Sequence, residues 1–144
     1  MTSSTNRCES APLVGCGIDC EAVARFAPML ARDEHPMPFV FTRAEVDRAR
    51  ALPSPARALC ACFCVKEAVL KALSAPCNLT DCELVLEPDG AASLRLAPSL
   101  VEEHGVGAST VDLCDVEEAA EEAVMAVVVL FGRASAIIDT EVPK

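Results

Sequence analysis

The stretch Phe63-Cys64-Val65-Lys66-Glu67-Ala68-Val69-Leu70-Lys71 sets two lysines and a glutamate among residues that are otherwise apolar. At helical spacing Phe63, Glu67 and Lys71 share one face, with Cys60 and Cys64 close by. The flanking residues are apolar almost all round, and such a helix is buried. A charge on a buried element is costly unless something compensates it. An internal Glu67–Lys71 ion pair is one compensation; a site that binds a metal and an anion is the other. Asp19 is the second piece. It closes an apolar run just after Gly17, and Glu21 follows two residues later. Carboxylates at a strand end, beside a buried helical carboxylate, make a hard-oxygen site. That suits Mg²⁺, which takes one or two carboxylates, waters and substrate phosphate oxygens. An Asp that merely caps a helix or sits in a solvated turn is the competing reading.

These residues need elements to hold them. Leu13 to Ile18 reads as a strand ending at Asp19. Residues 20–32 read as a helix with Val23, Phe26 and Leu30 on one face, which Pro28 kinks or ends early. Asp33 to Pro38 is a loop. Thr42-Arg43-Ala44-Glu45 is a capping box that opens a helix running to about Ala51. Pro53-Ser54-Pro55 breaks the chain, and a second helix starts near Pro55, runs through Leu73 and stops before Pro76. The C-terminal half alternates like strands. Cys82 to Glu87 and Ser93 to Leu96 flank the hairpin signal Asp89-Gly90. Pro98 to His104 reads as a short helix ended by Gly105. Ser109 to Val116 and Ala123 to Phe131 read as a strand pair, with Glu117 to Glu122 as an acidic, helix-prone connector. The mixture predicts an α+β fold, an antiparallel sheet packed with helices. Residues 1–12 are expected to be a disordered lead-in, 13–132 the domain and 133–144 a tail.

Composition narrows the function. A chain of 144 residues is one domain by length, and 52% hydrophobic residues give it a packed core. With five Phe and no Trp or Tyr it lacks the aromatic faces of a single-stranded nucleic-acid platform. The net charge of −10 is uneven: residues 1–71 carry nine Lys/Arg against eight Asp/Glu, and residues 72–144 carry three against fourteen. The total disfavours a polyanionic partner such as DNA, while the N-terminal half can hold a small anion. The longest apolar run, Ala123 to Phe131, is far short of a membrane span. The polar N-terminus lacks a signal-peptide core, so a cytoplasmic protein is expected. Nine cysteines, an odd number without a secretion signal, argue for reduced core residues rather than a disulfide framework.

In order along the chain, Gly17-Ile18-Asp19, Arg25-Phe26, Phe41-Thr42-x-x-Glu45 and Phe63-Cys64-Val65-Lys66-Glu67-Ala68-x-x-Lys71-Ala72-Leu73 resemble the 4′-phosphopantetheinyl transferase superfamily. Their spacing is closest to its small holo-acyl-carrier-protein synthase branch. The resemblance covers residues 13–73, about half of the chain. It implies an enzyme that moves 4′-phosphopantetheine from coenzyme A to a serine of an acyl or peptidyl carrier protein and releases 3′,5′-ADP, in fatty-acid biosynthesis or a related pathway. It implies Mg²⁺ held by Asp19 and Glu67, with Glu21 as a third candidate ligand. Glu67 and Lys71 become the catalytic candidates, Lys71 and Lys66 the contacts to coenzyme A phosphates, and Arg25 and Arg32 the face for the carrier protein. It also implies a homotrimer.

Two stretches depart from that family's pattern. Ser74-Ala75-Pro76 stands where small-branch members have a Gly-rich turn, which removes close backbone approach to an anion. Val111-Asp112-Leu113-Cys114-Asp115 stands where they have a Ser-x-Ser-His strand, and its acids repel phosphate unless a cation intervenes. His104, beside Gly105, reads as a helix end. These departures keep open a non-catalytic paralogue that binds a carrier protein or coenzyme A, a subunit of a synthase assembly, or an unrelated metal-binding α+β domain.

Overall fold

The computed structural model describes residues 11–134. The expected lead-in at 1–12 and tail at 133–144 fall mostly outside them. Strands β1 (Leu13–Ala22), β4 (Val106–Glu118) and β5 (Glu121–Gly132) form an antiparallel sheet in the order β1-β5-β4. Helices α1 (Ala27–Leu30), α2 (Arg43–Ala51), α3 (Pro55–Leu73) and α4 (Pro98–His104) and the hairpin of β2 (Cys82–Leu86) with β3 (Ala92–Leu96) complete the fold.

The central strand β5 obeys period-two patterning. Val124, Ala126, Val128 and Leu130 are fully buried, while Met125, Val127 and Val129 alternate with them on the other face, half-buried. The buried face lies under α3, the longest helix, whose residues from Ala58 to Lys66 are all buried. Two glycines of β1 let that helix settle. A Cβ on Gly15 would stand 1.8 Å from the carbonyl oxygen of Ala72, and one on Gly17 1.8 Å from that of Ala68. No side chain fits there, so helix and strand touch backbone to backbone. Phe26, Phe41 and Phe63 close the core at one end, with Phe26 edge-on to Phe41 at 6.5 Å and tilted against Phe63 at 5.6 Å.

Two predicted elements differ. The helix expected over 20–32 does not start at Cys20, because β1 continues its pairing with β5 as far as Ala22 opposite Ala123. A 3₁₀ turn at Val23–Arg25 and the single turn of α1 follow, and these keep Val23 and Phe26 buried. The acidic connector is not helical either. Strands β4 and β5 extend through it, pairing Glu117 with Glu122 and Glu118 with Glu121. Ala119 and Ala120 make the turn, with φ of 50° and 64°. The Asp89-Gly90 hairpin forms as expected, with Gly90 at φ 89°.

Candidate active site

The register of β1 decides which way its acids point. Gly15 and Gly17 face α3, so Asp19 and Glu21, at period two, face the same side, while Cys16, Ile18 and Cys20 face away. Asp19 pairs in register with Ala126, and Glu21 with Val124, both from the covered face of β5. Gly17 lies under Ala68, so the backbone contact that needs a glycine also sets Asp19 beside the Glu67–Lys71 turn of α3.

Lys71 reaches across this contact. Its Nζ donates to Asp19 Oδ1 at 3.0 Å and to the carbonyl oxygen of Ile18 at 2.8 Å. The Lys71 side chain is 53% exposed and that of Asp19 14%. Asp19 Oδ2 is buried and has no hydrogen-bond partner. Glu67 stands one helical turn before Lys71, half-buried, and makes no hydrogen bond or ion pair among the described residues. The internal Glu67–Lys71 pair does not form; Lys71 goes to Asp19 instead. A carboxylate oxygen taken out of water without a partner calls for a cation or a donor. Among the described residues no three His, Cys, Asp or Glu side chains gather closely enough to hold a metal on their own. Asp19 Oδ2 is the oxygen left open to a cation, and an ion held there would need water or phosphate to complete its shell.

Glu21 is differently engaged. Its Oε2 accepts from Arg25 Nη1 at 3.0 Å, and the Arg25 guanidinium lies 4.9 Å from the centre of the Phe63 ring. The ion pair and the ring contact tie Arg25 to the rim of the site. Arg32 is exposed and lines a groove of about 400 Å³ with Pro28, Met29 and Glu34, on the outer side of α1. The loop carrying it is held by Arg50 Nη2, which donates to the carbonyls of Arg32 and Glu34.

Lys66 does not join the site. It is fully buried on the far side of α3, where its Nζ pairs with Glu45 Oε2 at 3.0 Å and donates to the carbonyls of Leu79 and Cys82. Those three contacts use the whole donor capacity of an ammonium, so none remains for a phosphate. Glu45 is the residue that sequence reasoning underused. Its Oε2 accepts from Thr42 N at 2.9 Å, which completes the predicted capping box, and its Oε1 accepts from Leu84 N at 2.9 Å. Arg57, in the first turn of α3, makes an ion pair that sequence reasoning did not anticipate. It pairs with Asp115, supplying a cation beside one of the two acids that break the expected strand motif.

Seven of the described cysteines, Cys16, Cys60, Cys62, Cys64, Cys77, Cys82 and Cys114, are free thiols. Cys60 and Cys64, on the strand-facing side of α3, donate to the carbonyls of Glu21 and Val124. Cys77 and Cys82 bring their sulfurs to 3.9 Å, where burial first, and the neighbouring Cys77 second, push the Cys82 thiol up to about 12. Ser74 ends α3 in the left-handed conformation, at φ 51°.

A sequence profile of the 4′-phosphopantetheinyl transferase superfamily matches residues 15–128. The holo-[acyl-carrier-protein] synthase of Salinispora arenicola is 44% identical over 80 residues, covering 54% of this chain and 66% of that protein, just under two thirds of its length. The Mycobacterium tuberculosis acyl carrier protein synthase is similar in structure, with a TM-score of 0.59 and 28% identity over 84% of this chain and 99% of the other. The Helicobacter pylori holo-[acyl-carrier-protein] synthase, solved in complex with coenzyme A, shares the fold with a TM-score of 0.64 at 19% identity, over 80% and 98% of the two chains. The glycine-backed strand, its inward acids, the α3 motif and the profile match agree: this chain belongs to the 4′-phosphopantetheinyl transferase superfamily.

Proposed function

We propose that the protein transfers 4′-phosphopantetheine from coenzyme A to a serine of an acyl or peptidyl carrier protein, releasing 3′,5′-ADP. The observation that carries this reading is the Asp19–Lys71 pair, with a buried carboxylate oxygen still unpartnered, inside a chain of this family. Asp19 and Glu67 are the residues that would hold Mg²⁺, which when bound draws charge from the pyrophosphate of coenzyme A. Glu21 is the weaker third ligand, since Arg25 already neutralises it.

The serine hydroxyl attacks the β-phosphorus. The new O–P bond forms as the bond to the 3′,5′-ADP oxygen breaks. Glu67 accepts the serine proton. Lys71 places its ammonium against the phosphate oxygens on which charge gathers. Arg25 and Arg32, in the segments just before and after α1, would give an acidic carrier protein a basic landing despite the negative total. Lys66 has no part in phosphate binding and holds α3 from behind. A homotrimer gives the outward face of the sheet, with Cys16, Ile18 and Val127, a place to be covered. The setting is the cytoplasm, where free thiols such as Cys60, Cys64 and Cys82 stay reduced, and fatty-acid biosynthesis is the pathway served.

Incubation with coenzyme A, Mg²⁺ and an apo carrier protein is expected to add the mass of phosphopantetheine to the carrier. Glu67→Gln is expected to cut the rate by about a hundredfold or more with the far-UV spectrum unchanged. Full activity in that variant would remove Glu67 from the mechanism. Coenzyme A binding without transfer to any carrier in a broad panel would favour the non-catalytic paralogue.

A further inference from the structure

Lys71 and a divalent cation have claims on the same carboxylate. In the structure the ammonium holds Asp19 Oδ1 at 3.0 Å and the carbonyl oxygen of Ile18 at 2.8 Å, while Oδ2 of the same carboxylate is buried and bare. A dication on Oδ2 would stand within a few ångströms of that ammonium, and at such range like charges repel strongly when part of the site is shielded from water. The pair itself is easily broken. Lys71 is 53% exposed, so its ion pair is weak. Its four-carbon stem is flexible and has solvent on one side in which to swing.

We propose that Lys71 is the resident counter-ion of Asp19, and that a divalent cation displaces it and so frees the ammonium to meet the phosphate of the co-substrate. Metal arrival and phosphate capture are then one exchange of partners. This deepens the reading above and rests on it. The exchange has a sign that a simple shared-site picture lacks. If Lys71 only helped to shape the site, removing it would loosen metal binding. If Lys71 occupies the carboxylate, removing it tightens metal binding while transfer falls.

The test is a titration of the full chain with Mn²⁺ as the divalent probe, free ion being read by electron paramagnetic resonance without coenzyme A or carrier. Lys71→Met is expected to bind Mn²⁺ about tenfold more tightly than the wild type, and Lys71→Arg, which keeps the charge, within about twofold of it. Asp19→Asn is expected to lose the site. In a parallel assay Lys71→Met is expected to transfer phosphopantetheine more slowly, so the two readouts move in opposite directions. Unchanged or weaker Mn²⁺ binding in Lys71→Met, with the site still lost in Asp19→Asn, overturns the exchange and leaves the proposed function standing. No Mn²⁺ binding by the wild type overturns the metal assignment and the exchange together.

Discussion

Lys66 carries its ammonium into a space closed to solvent, and every proton on it finds an oxygen. A buried ion pair of this kind contributes little over a well-packed apolar pair, yet breaking one side of it is severe. Lys66→Met would leave the Glu45 carboxylate buried with only the amides of Thr42 and Leu84. The expected loss of stability is about 3–5 kcal/mol, measured from the urea midpoint; a loss below about 1 kcal/mol would mean that Glu45 is already satisfied by its amides. The sequence shows three charges on a helix that must be buried, and it cannot assign them. Glu67 and Lys71 go to the strand side, where Asp19 waits. Lys66 lies about a hundred degrees round the helix and meets a residue that, read locally, had only a capping job. Glu45 has spare acceptor capacity beyond the cap, but the groups that use it, Leu84 N and Lys66 Nζ, come from other elements. Asp19 was legible because it closes an apolar run just after Gly17, whereas the close approach of α3 to Gly15 and Gly17, in phase with it, shows only in the packing.

At the scale of elements, capping and breaking signals placed α2, α3, α4 and the β2–β3 hairpin well, because each is set by local chemistry: a Thr-x-x-Glu box, a proline in the first turn, a Gly just past the end, an Asp-Gly turn. The misses are places where pairing overrides propensity. Glu117 to Glu122 is rich in good helix formers, but twelve residues of β5 need a partner strand, and closing the hairpin forces Ala119 and Ala120 to positive φ. Alanine tolerates that conformation poorly, at about 1–2 kcal/mol per residue. The register also sets Glu117 opposite Glu122, a like-charge pair that repels. Replacing the turn by Ala119→Asn with Ala120→Gly supplies residues suited to such a two-residue turn and is expected to raise stability by about 1–2 kcal/mol in urea unfolding. No gain would indicate that the turn conformation differs in solution. The same override extends β1 through Cys20 and Glu21, where apolar spacing alone suggested a helix.

For the molecule as a whole, α3 covers one face of the β1-β5-β4 sheet, and the other face presents Cys16, Ile18, Met125, Val127 and Val129, with Ile18 51% exposed. No helix among the described residues is long and apolar enough to cross a membrane. In the trimer proposed above this face lies between copies. Ile18→Asp adds a charge there without touching the α3 side, so light scattering is expected to find a monomer that keeps its helical spectrum; a persistent trimer would move the contact to another surface. If that trimer forms, a sheet with one side finished and the other left to a neighbour would also tie the molecule to its own abundance. In the proposed trimer each copy that docks would remove apolar surface from water, and the folded state would draw part of its stability from mass action. Dilution alone would then lower the melting temperature, and the amount of protein present would itself set how well each molecule holds together.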